Sequence, residues 1–314
     1  MTHADSDQVL VSLSPDELAV APQFEAGIEL TFDWEHDALL SGERPLTDVI
    51  DTAGIDPSRI RSVHLPPGTT HRHGMTVVPE NRGKIIDFAH TQLTILPEAY
   101  LTAHPPKQFE YSEQFQLFTE LPELADRQLS IENLPVECQW HTIPSLAYYA
   151  YVIESTEYLD ELWLTIDSAH LPSEPDSPLS MLTLDSEWET GLAESLDSQG
   201  LSLPERFVTT CEQKLKRQAE RYVPDELLGD NRPNRWVPFA QTVFLTAECI
   251  KSVHLNDPID DTVPDFSSHD TESLLECVIN CVLDQSGYIV LEPPTGTAET
   301  VSETIQSLVS ATNT

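Results

Sequence analysis

The sequence predicts an α/β protein built as a single (β/α)8 barrel over residues 1–314, with an insertion between strands six and seven, and three observations predict it. Short β-prone runs alternate with helical patterns along the chain, the element order of a parallel sheet covered by helices. Strand ends fall roughly 30 to 40 residues apart through the middle of the chain, the length of a β-plus-α unit. Six of the runs, Arg61–Pro66, Tyr100–Pro105, Leu129–Leu134, Leu162–Leu171, Ile250–Asp257 and Tyr288–Pro293, carry His, Asp or Glu at the same, carboxyl end. A barrel of this kind gathers its active-site groups at that end.

In chain order, VLVSLS (Val9–Ser14) reads as the first strand and GIELTF (Gly27–Phe32) as the second, with a short helix or connection over Pro15–Phe24. Helical spacing follows in Leu46–Ala53, then a third strand ending at His64 and a loop rich in Pro, Gly and His that holds His71, Arg72 and His73. Apolar residues recur at helical intervals from Asn81 to Leu96, ahead of a fourth strand ending at His104. The amphipathic Phe109–Leu124 leads to the fifth strand with Glu132, and Ile143–Tyr158, with Pro144 at its start, leads to the sixth with Asp167. Strands seven and eight end at His254 and Glu292, joined by a helical Thr271–Leu283, and Ser302–Leu308 reads as a last helix.

One interval is long: 86 residues separate Asp167 from His254, room for a helix and an insertion of very roughly 50 residues over 172–225. Leu171–Leu203 is rich in Pro, Ser and acid and predicts loop with a short helix, followed by helices in Pro204–Tyr222 and Asn234–Ile250.

Composition narrows the setting. The net charge of −37 arises from 53 acidic against 16 basic residues and is spread along the chain, while 39% hydrophobic residues still supply a core. Such a surface, with few Lys and much Ser and Thr, resembles that of cytoplasmic proteins of salt-loving archaea, where salt screens the self-repulsion. Acidity therefore reports the solvent and does not exclude a phosphate or nucleic-acid ligand. The five cysteines, Cys138, Cys211, Cys249, Cys277 and Cys281, form no Cys-x-x-Cys pair and read as small core residues. The opening residues lack basic and apolar leader regions and no apolar run approaches the ~20 residues of a membrane span, so a cytoplasmic protein with no membrane partner is expected.

The chemistry concentrates in Asp167-x-x-His170, where an apolar strand ends in a carboxylate with an imidazole three residues on. Alone, that pair describes a satisfied core contact as well as a metal site; six strands with such residues at one end make chance core histidines a poor explanation. Three carboxylates and one imidazole brought together from four such strands suit a hard to borderline cation such as Mn²⁺, Mg²⁺, Co²⁺ or Zn²⁺.

On IEN at Ile131–Asn133, Asp167-x-x-His170, HLND at His254–Asp257 and LEP at Leu291–Pro293, the chain resembles the xylose isomerase-like barrel superfamily over nearly its whole length outside the insertion. That superfamily holds sugar and sugar-phosphate isomerases and epimerases, and the endonuclease IV family that cleaves DNA at abasic sites. In the isomerase branch the resemblance implies one divalent metal on Glu132, Asp167, His254 and Glu292. Glu132 and Glu292 would move the α-carbon proton of a keto sugar through an enediolate, with His170 hydrogen-bonding a substrate oxygen. The Arg that many ketose epimerases carry after the seventh strand is missing from Leu255–Thr271. In the endonuclease branch it implies up to three zinc ions, with further ligands matching His64, His104, His170 and a late Asp/His pair; Asp265 and His269 stand four apart here, where that family has Asp-x-His. A non-catalytic metal-binding barrel is a third reading, disfavoured because no expected carboxylate is lost.

The insertion adds one more clue. Arg206, Lys214, Lys216, Arg217, Arg221, Arg232 and Arg235 are seven of the sixteen basic residues. As an exposed helix they would pair with Glu212, Glu220 and Glu226; as a phosphate site, Arg217, Arg232 and Arg235 are the candidates. Trp236 is either core or a stacking surface for a sugar or base. On this balance the sequence points first to a metal-dependent sugar or sugar-phosphate isomerase or epimerase.

Overall fold

Eight parallel strands pair in sequence order and close into a barrel: β1 (Val9–Leu13), β2 (Gly27–Thr31), β3 (Ile60–His64), β4 (Tyr100–Ala103), β5 (Leu129–Glu132), β6 (Leu162–Asp167), β7 (Ile250–His254) and β8 (Tyr288–Leu291), with β8 against β1. The computed structural model describes residues 8–69, 72–134, 142–155, 160–171, 184, 186–228, 234–256 and 272–292. Asp265, His269, Arg232, His71, Cys138 and the expected helix at Ser302–Leu308 lie outside the described residues.

The helices are α1 (Asp37–Leu40), α2 (Leu46–Ala53), α3 (Arg82–Gln92), α4 (Tyr111–Ala125), α5 (Ile143–Glu154), α6 (Ser186–Asp197), α7 (Phe207–Tyr222), α8 (Asp225–Leu228), α9 (Val237–Thr246) and α10 (Glu272–Asp284). Local chemistry sets their ends. The Thr142 hydroxyl accepts the Ser145 N–H at the start of α5, where Pro144 fits the first turn. Gly54, at φ +67°, takes the left-handed position that closes α2. None of the described helices is long and apolar enough to cross a membrane.

Side chains alternate along each strand. One set, with Val63, Leu101, Ile131, Ile166, Val253 and Ile289, joins the buried apolar core beneath the helices. The other set fills the barrel, and its middle layer is polar. Ser62, Thr102, Ser130, Thr165 and Ser252 are all buried, with hydroxyl contacts of 3.1 Å from Ser62 to Thr102, 2.7 Å from Ser130 to Thr165 and 2.8 Å from Thr165 to Ser252. A two-residue step along the same strands brings His64, His104, Glu132, Asp167 and His254 to the layer above.

The amino end is closed differently. Leu164 pairs with Ile250 but Thr165 with Ser252, so the register skips Lys251. The Lys251 ammonium lies 5.1 Å from the centre of the Trp163 ring, 5.4 Å from Tyr100 and 5.9 Å from Tyr288.

Between β6 and β7, α9 packs on β6, α5 and α10, while α7 lies against α9 and α10 and α6 against α5. The α6 helix, with twelve residues, is longer than the short helix expected within Leu171–Leu203. Acid-rich composition there reflects a solvated face, which a helix accepts as readily as a loop. Cys211, Cys249, Cys277 and Cys281 are buried free thiols, as small core residues would be.

Candidate metal centre

Each candidate side chain is the last inward-facing residue of its strand or the residue just after it: His64 on β3, His104 after β4, Glu132 on β5, Asp167 on β6, His254 on β7 and Glu292 after β8. The barrel therefore brings them to one end. Glu132 is 2% exposed and lies among three histidines. Its Oε2 is 2.8 Å from His64 Nε2 and 3.0 Å from His104 Nε2, and its Oε1 is 3.3 Å from His254 Nδ1. His254 Nδ1 also lies 3.0 Å from Glu292 Oε1.

Among the described residues, donor atoms close enough to share an ion fall into three overlapping groups: His64, His104 and Glu132; Glu132, Asp167 and His254; and Glu29, His64, His254 and Glu292. The four ligands expected from the sequence thus divide. Asp167 joins Glu132 and His254, while Glu292 groups with His254 from another side.

The donor set fits a divalent ion. Both ring nitrogens of His64 and of His254, Nδ1 of His104, Oε2 of Glu132 and Oε1 of Glu29 are buried without an aligned hydrogen bond. Nitrogens and oxygens packed 2.8–3.3 Å apart yet not aimed at one another converge on common points, as ligands of one cation do. Imidazole with carboxylate is a donor set for Zn²⁺, Mn²⁺ or Co²⁺.

Electrostatics follows the same contacts. Burial alone would lower the His64 imidazole, but Glu132 and then Glu29 overcome it and hold its pKa at about 10. His254 is likewise raised, against burial, by Glu29, Glu132 and Glu292. The carboxyls of Glu29 and Glu132 are held low despite burial by these histidines. His104 goes the other way: burial lowers it, and the neighbouring His64 charge outweighs part of the help from Glu132. Asp167 rises to about 6, first through burial and then through Glu132 and Glu292, with His170 opposing.

Backbone clamps hold the rim. Asn133 accepts the Asp167 N–H at 2.6 Å through Oδ1 and donates Nδ2–H to the Asp167 carbonyl at 3.1 Å. Asn256 donates to Glu292 Oε2 at 2.9 Å. His170 Nδ1 faces two acceptors, Asp167 Oδ2 at 3.2 Å and the Asn133 carbonyl at 2.9 Å, so that nitrogen carries the proton.

Sequence reasoning missed Glu29. It sits in mid-strand on β2, fully buried, in the hydroxyl layer below the strand ends. The available signal was an acid inside GIELTF, an apolar run where an unpaired charge is not tolerated. Three residues of the basic cluster, Lys214, Arg217 and Arg221, are paired with acids outside the centre. Arg217, on α7, pairs at 2.5 Å with Glu248, in the turn immediately before β7 and thus at the amino end of the barrel. Arg221 pairs with Asp284 at 3.0 Å, and Lys214 with both Glu154 and Glu248. Arg235 stacks over Trp236, whose ring is buried in the core and is no surface for a ligand. Arg72 and His73, expected at the mouth, line a separate cavity of about 620 Å³ with Lys84 and Phe88 beside α3.

No protein-family model matches this sequence, and no curated protein is similar to it. Solved structures do match. A xylose isomerase domain protein from Planctomyces limnophilus aligns at 11% identity over 97% of this chain and 96% of its own, with a TM-score of 0.53. The 3-keto-D-glucoside 4-epimerase of E. coli aligns at 9% identity over 97% and 99%, with a TM-score of 0.51. A family 2 AP endonuclease from Brucella melitensis aligns at 13% identity over 94% and 96%, with a TM-score of 0.49. The chain has the fold of xylose isomerase-like TIM barrel proteins.

Proposed function

We propose that this chain is a divalent-metal-dependent enzyme that hydrolyses phosphate esters, with Glu132 shared between two sets of residues that would each hold an ion. The observation that carries this reading is the split of the Glu132 carboxylate: Oε2 faces His64 and His104, and Oε1 faces His254. One carboxylate with separate partners on its two oxygens joins two adjacent ligand sets. Charge supports the same count. Glu29, Glu132, Asp167 and Glu292 bring four carboxylates to the centre. Two divalent ions balance them with every imidazole neutral, whereas one ion does so only with protons kept on the raised histidines.

Ions held there would supply Lewis acidity toward a phosphoryl oxygen and lower the pKa of water. His64 and His104 with Glu132 Oε2 would hold one, and Asp167 and His254 with Glu132 Oε1 the other, Glu292 standing beside His254. His170, anchored through Nδ1 and 26% exposed, presents its other nitrogen to a substrate oxygen. The test is metal analysis together with hydrolysis of mono- and bis-(p-nitrophenyl) phosphate in multimolar salt. Two ions per chain and hydrolysis abolished in Glu132→Gln are expected; one ion per chain and no hydrolysis would sink the reading.

A second reading, the single-ion sugar or sugar-phosphate isomerase or epimerase of the sequence resemblance, is favoured by another contact. Glu132 and Glu292 stand 3.3 and 3.0 Å from the same His254 nitrogen, a pair of carboxylates suited to removing and returning a proton. Exchange of solvent deuterium into the α-carbon of a ketose by protein holding one ion would support it. Abasic-site DNA belongs among the phosphoester substrates assayed. Counterion release contributes little to a DNA grip at multimolar salt, and a small phosphoester gripped by the ions themselves depends on it less.

A further inference from the structure

The two central histidines are touched from both sides. On the upper side His64 Nε2 and His254 Nδ1 meet Glu132, at 2.8 and 3.3 Å. On the lower side their other nitrogens meet one atom: Glu29 Oε1 lies 3.2 Å from His254 Nε2 and 3.6 Å from His64 Nδ1, off the N–H axes in both cases. The second oxygen of Glu29 is anchored, accepting the Ser62 hydroxyl at 2.7 Å, and Ser62 in turn touches Thr102 at 3.1 Å. The carboxylate is fully buried.

An imidazole that ligates a metal through one ring nitrogen keeps its proton on the other, and an acceptor behind the ring fixes tautomer, orientation and donor strength. We propose that Glu29 is the positioning residue of this centre. Its Oε1 faces the inner nitrogens of both His64 and His254, at 3.6 and 3.2 Å, and by holding their protons there it would commit His64 to ligate through Nε2 and His254 through Nδ1. Both histidines are then set by one carboxylate, which couples the two ligand sets from below as Glu132 does from above. This inference rests on the metal-centre reading, and the experiment separates the two.

Wild type, Glu29→Gln, Glu29→Ala and Ser62→Ala are loaded with Zn²⁺. Ions per chain are counted, affinity is measured by competition with a chromophoric chelator, and long-range ¹⁵N–¹H spectra of the histidine rings report which nitrogen is ligated. In wild type, His64 should appear ligated through Nε2 and His254 through Nδ1. Glu29→Gln should keep the same number of ions, bind them about 10- to 100-fold more weakly, and show altered signals for those two rings. Ser62→Ala, which keeps the charge and loosens only its anchor, should move the same ring signals with a smaller loss, and it serves if a Glu29 variant fails to fold. Loss of one whole equivalent of zinc in Glu29→Gln, with the rest bound as in wild type, would make Glu29 a ligand and overturn the proposal. Unchanged affinity and ring spectra would overturn it as well. Wild type that binds no zinc would instead remove the metal-centre reading itself.

Discussion

His64 Nε2 stands 2.8 Å from Glu132 Oε2, with both side chains buried at the carboxyl end of the barrel. His104 reaches the same oxygen at 3.0 Å, so two imidazoles depend on one atom of Glu132 while its other oxygen serves His254. Replacing both His64 and His104 with Ala should therefore lower metal content from about two ions per chain to about one, held by the Glu132, Asp167 and His254 set. Metal analysis checks this. Unchanged content would reassign the two histidines to substrate contact or packing.

Metal uptake should release protons. Without metal, His64 holds its proton up to about pH 10, because Glu132 and Glu29 outweigh the effect of burial, while a ligating imidazole must be neutral. Apparent affinity should rise with pH, by about tenfold per unit for each proton displaced. Stability of the metal-free chain runs the opposite way. A raised His contributes stability that is fully present below the ordinary pKa of 6.5 and is lost as pH climbs through about 10. Calorimetric titration with Zn²⁺ at pH 7 in buffers of differing ionisation enthalpy counts the protons; a count of zero would contradict the assignment.

Asn133→Ala should weaken both fold and site. It strips the buried Asp167 N–H of its partner at 2.6 Å and removes one of two donors to the Asp167 carbonyl, which keeps the His170 N–H at 3.3 Å, at a cost of roughly 1 to 3 kcal/mol. Asp167 then loses its fixed direction, and metal affinity should fall about tenfold or more. Denaturant unfolding and chelator competition read the two effects, and a stable variant with wild-type affinity would deny the clamp.

Two basic residues of α7 should behave unlike each other. Lys214 is 7% exposed between Glu154 and Glu248, and its removal leaves two half-buried carboxylates facing each other. Lys214→Ala should cost about 2 to 4 kcal/mol, below the full loss for a wholly buried pair because both acids keep some solvent. Arg217, 63% exposed on Glu248, should cost less than about 1 kcal/mol when changed to Ala, with no change in KM for a phosphorylated substrate. A raised KM in Arg217→Ala would return the phosphate role to this cluster.

The sequence by itself determined the barrel and the rim. Alternation along RSVH, LSIE, LWLTID and IKSVH, each ending in a metal-capable residue, is a local property that survives translation into strands whose ends share one face. It also offered Glu132, Asp167, His254 and Glu292 among its strand-end candidates, since a polar residue closing an apolar run is visible without any partner, and the resemblance to the barrel superfamily singled them out as a ligand set. The tertiary structure alone decided which of these groups meet. Period-two alternation says that Glu29 faces the interior but not at which height. That follows from register, since Ile28 pairs with Ile60 and Glu29 with Ser62, skipping Arg61, which sets Glu29 one layer beneath His64 and His254. The same limit explains Arg217. A run of basic residues is read along the chain, whereas the direction of α7 sends this one to Glu248 at the opposite end of the barrel. Sequence fixes what each strand can offer at its end; only the closed register of eight strands, in which every neighbour constrains the height of the next, fixes who stands beside whom.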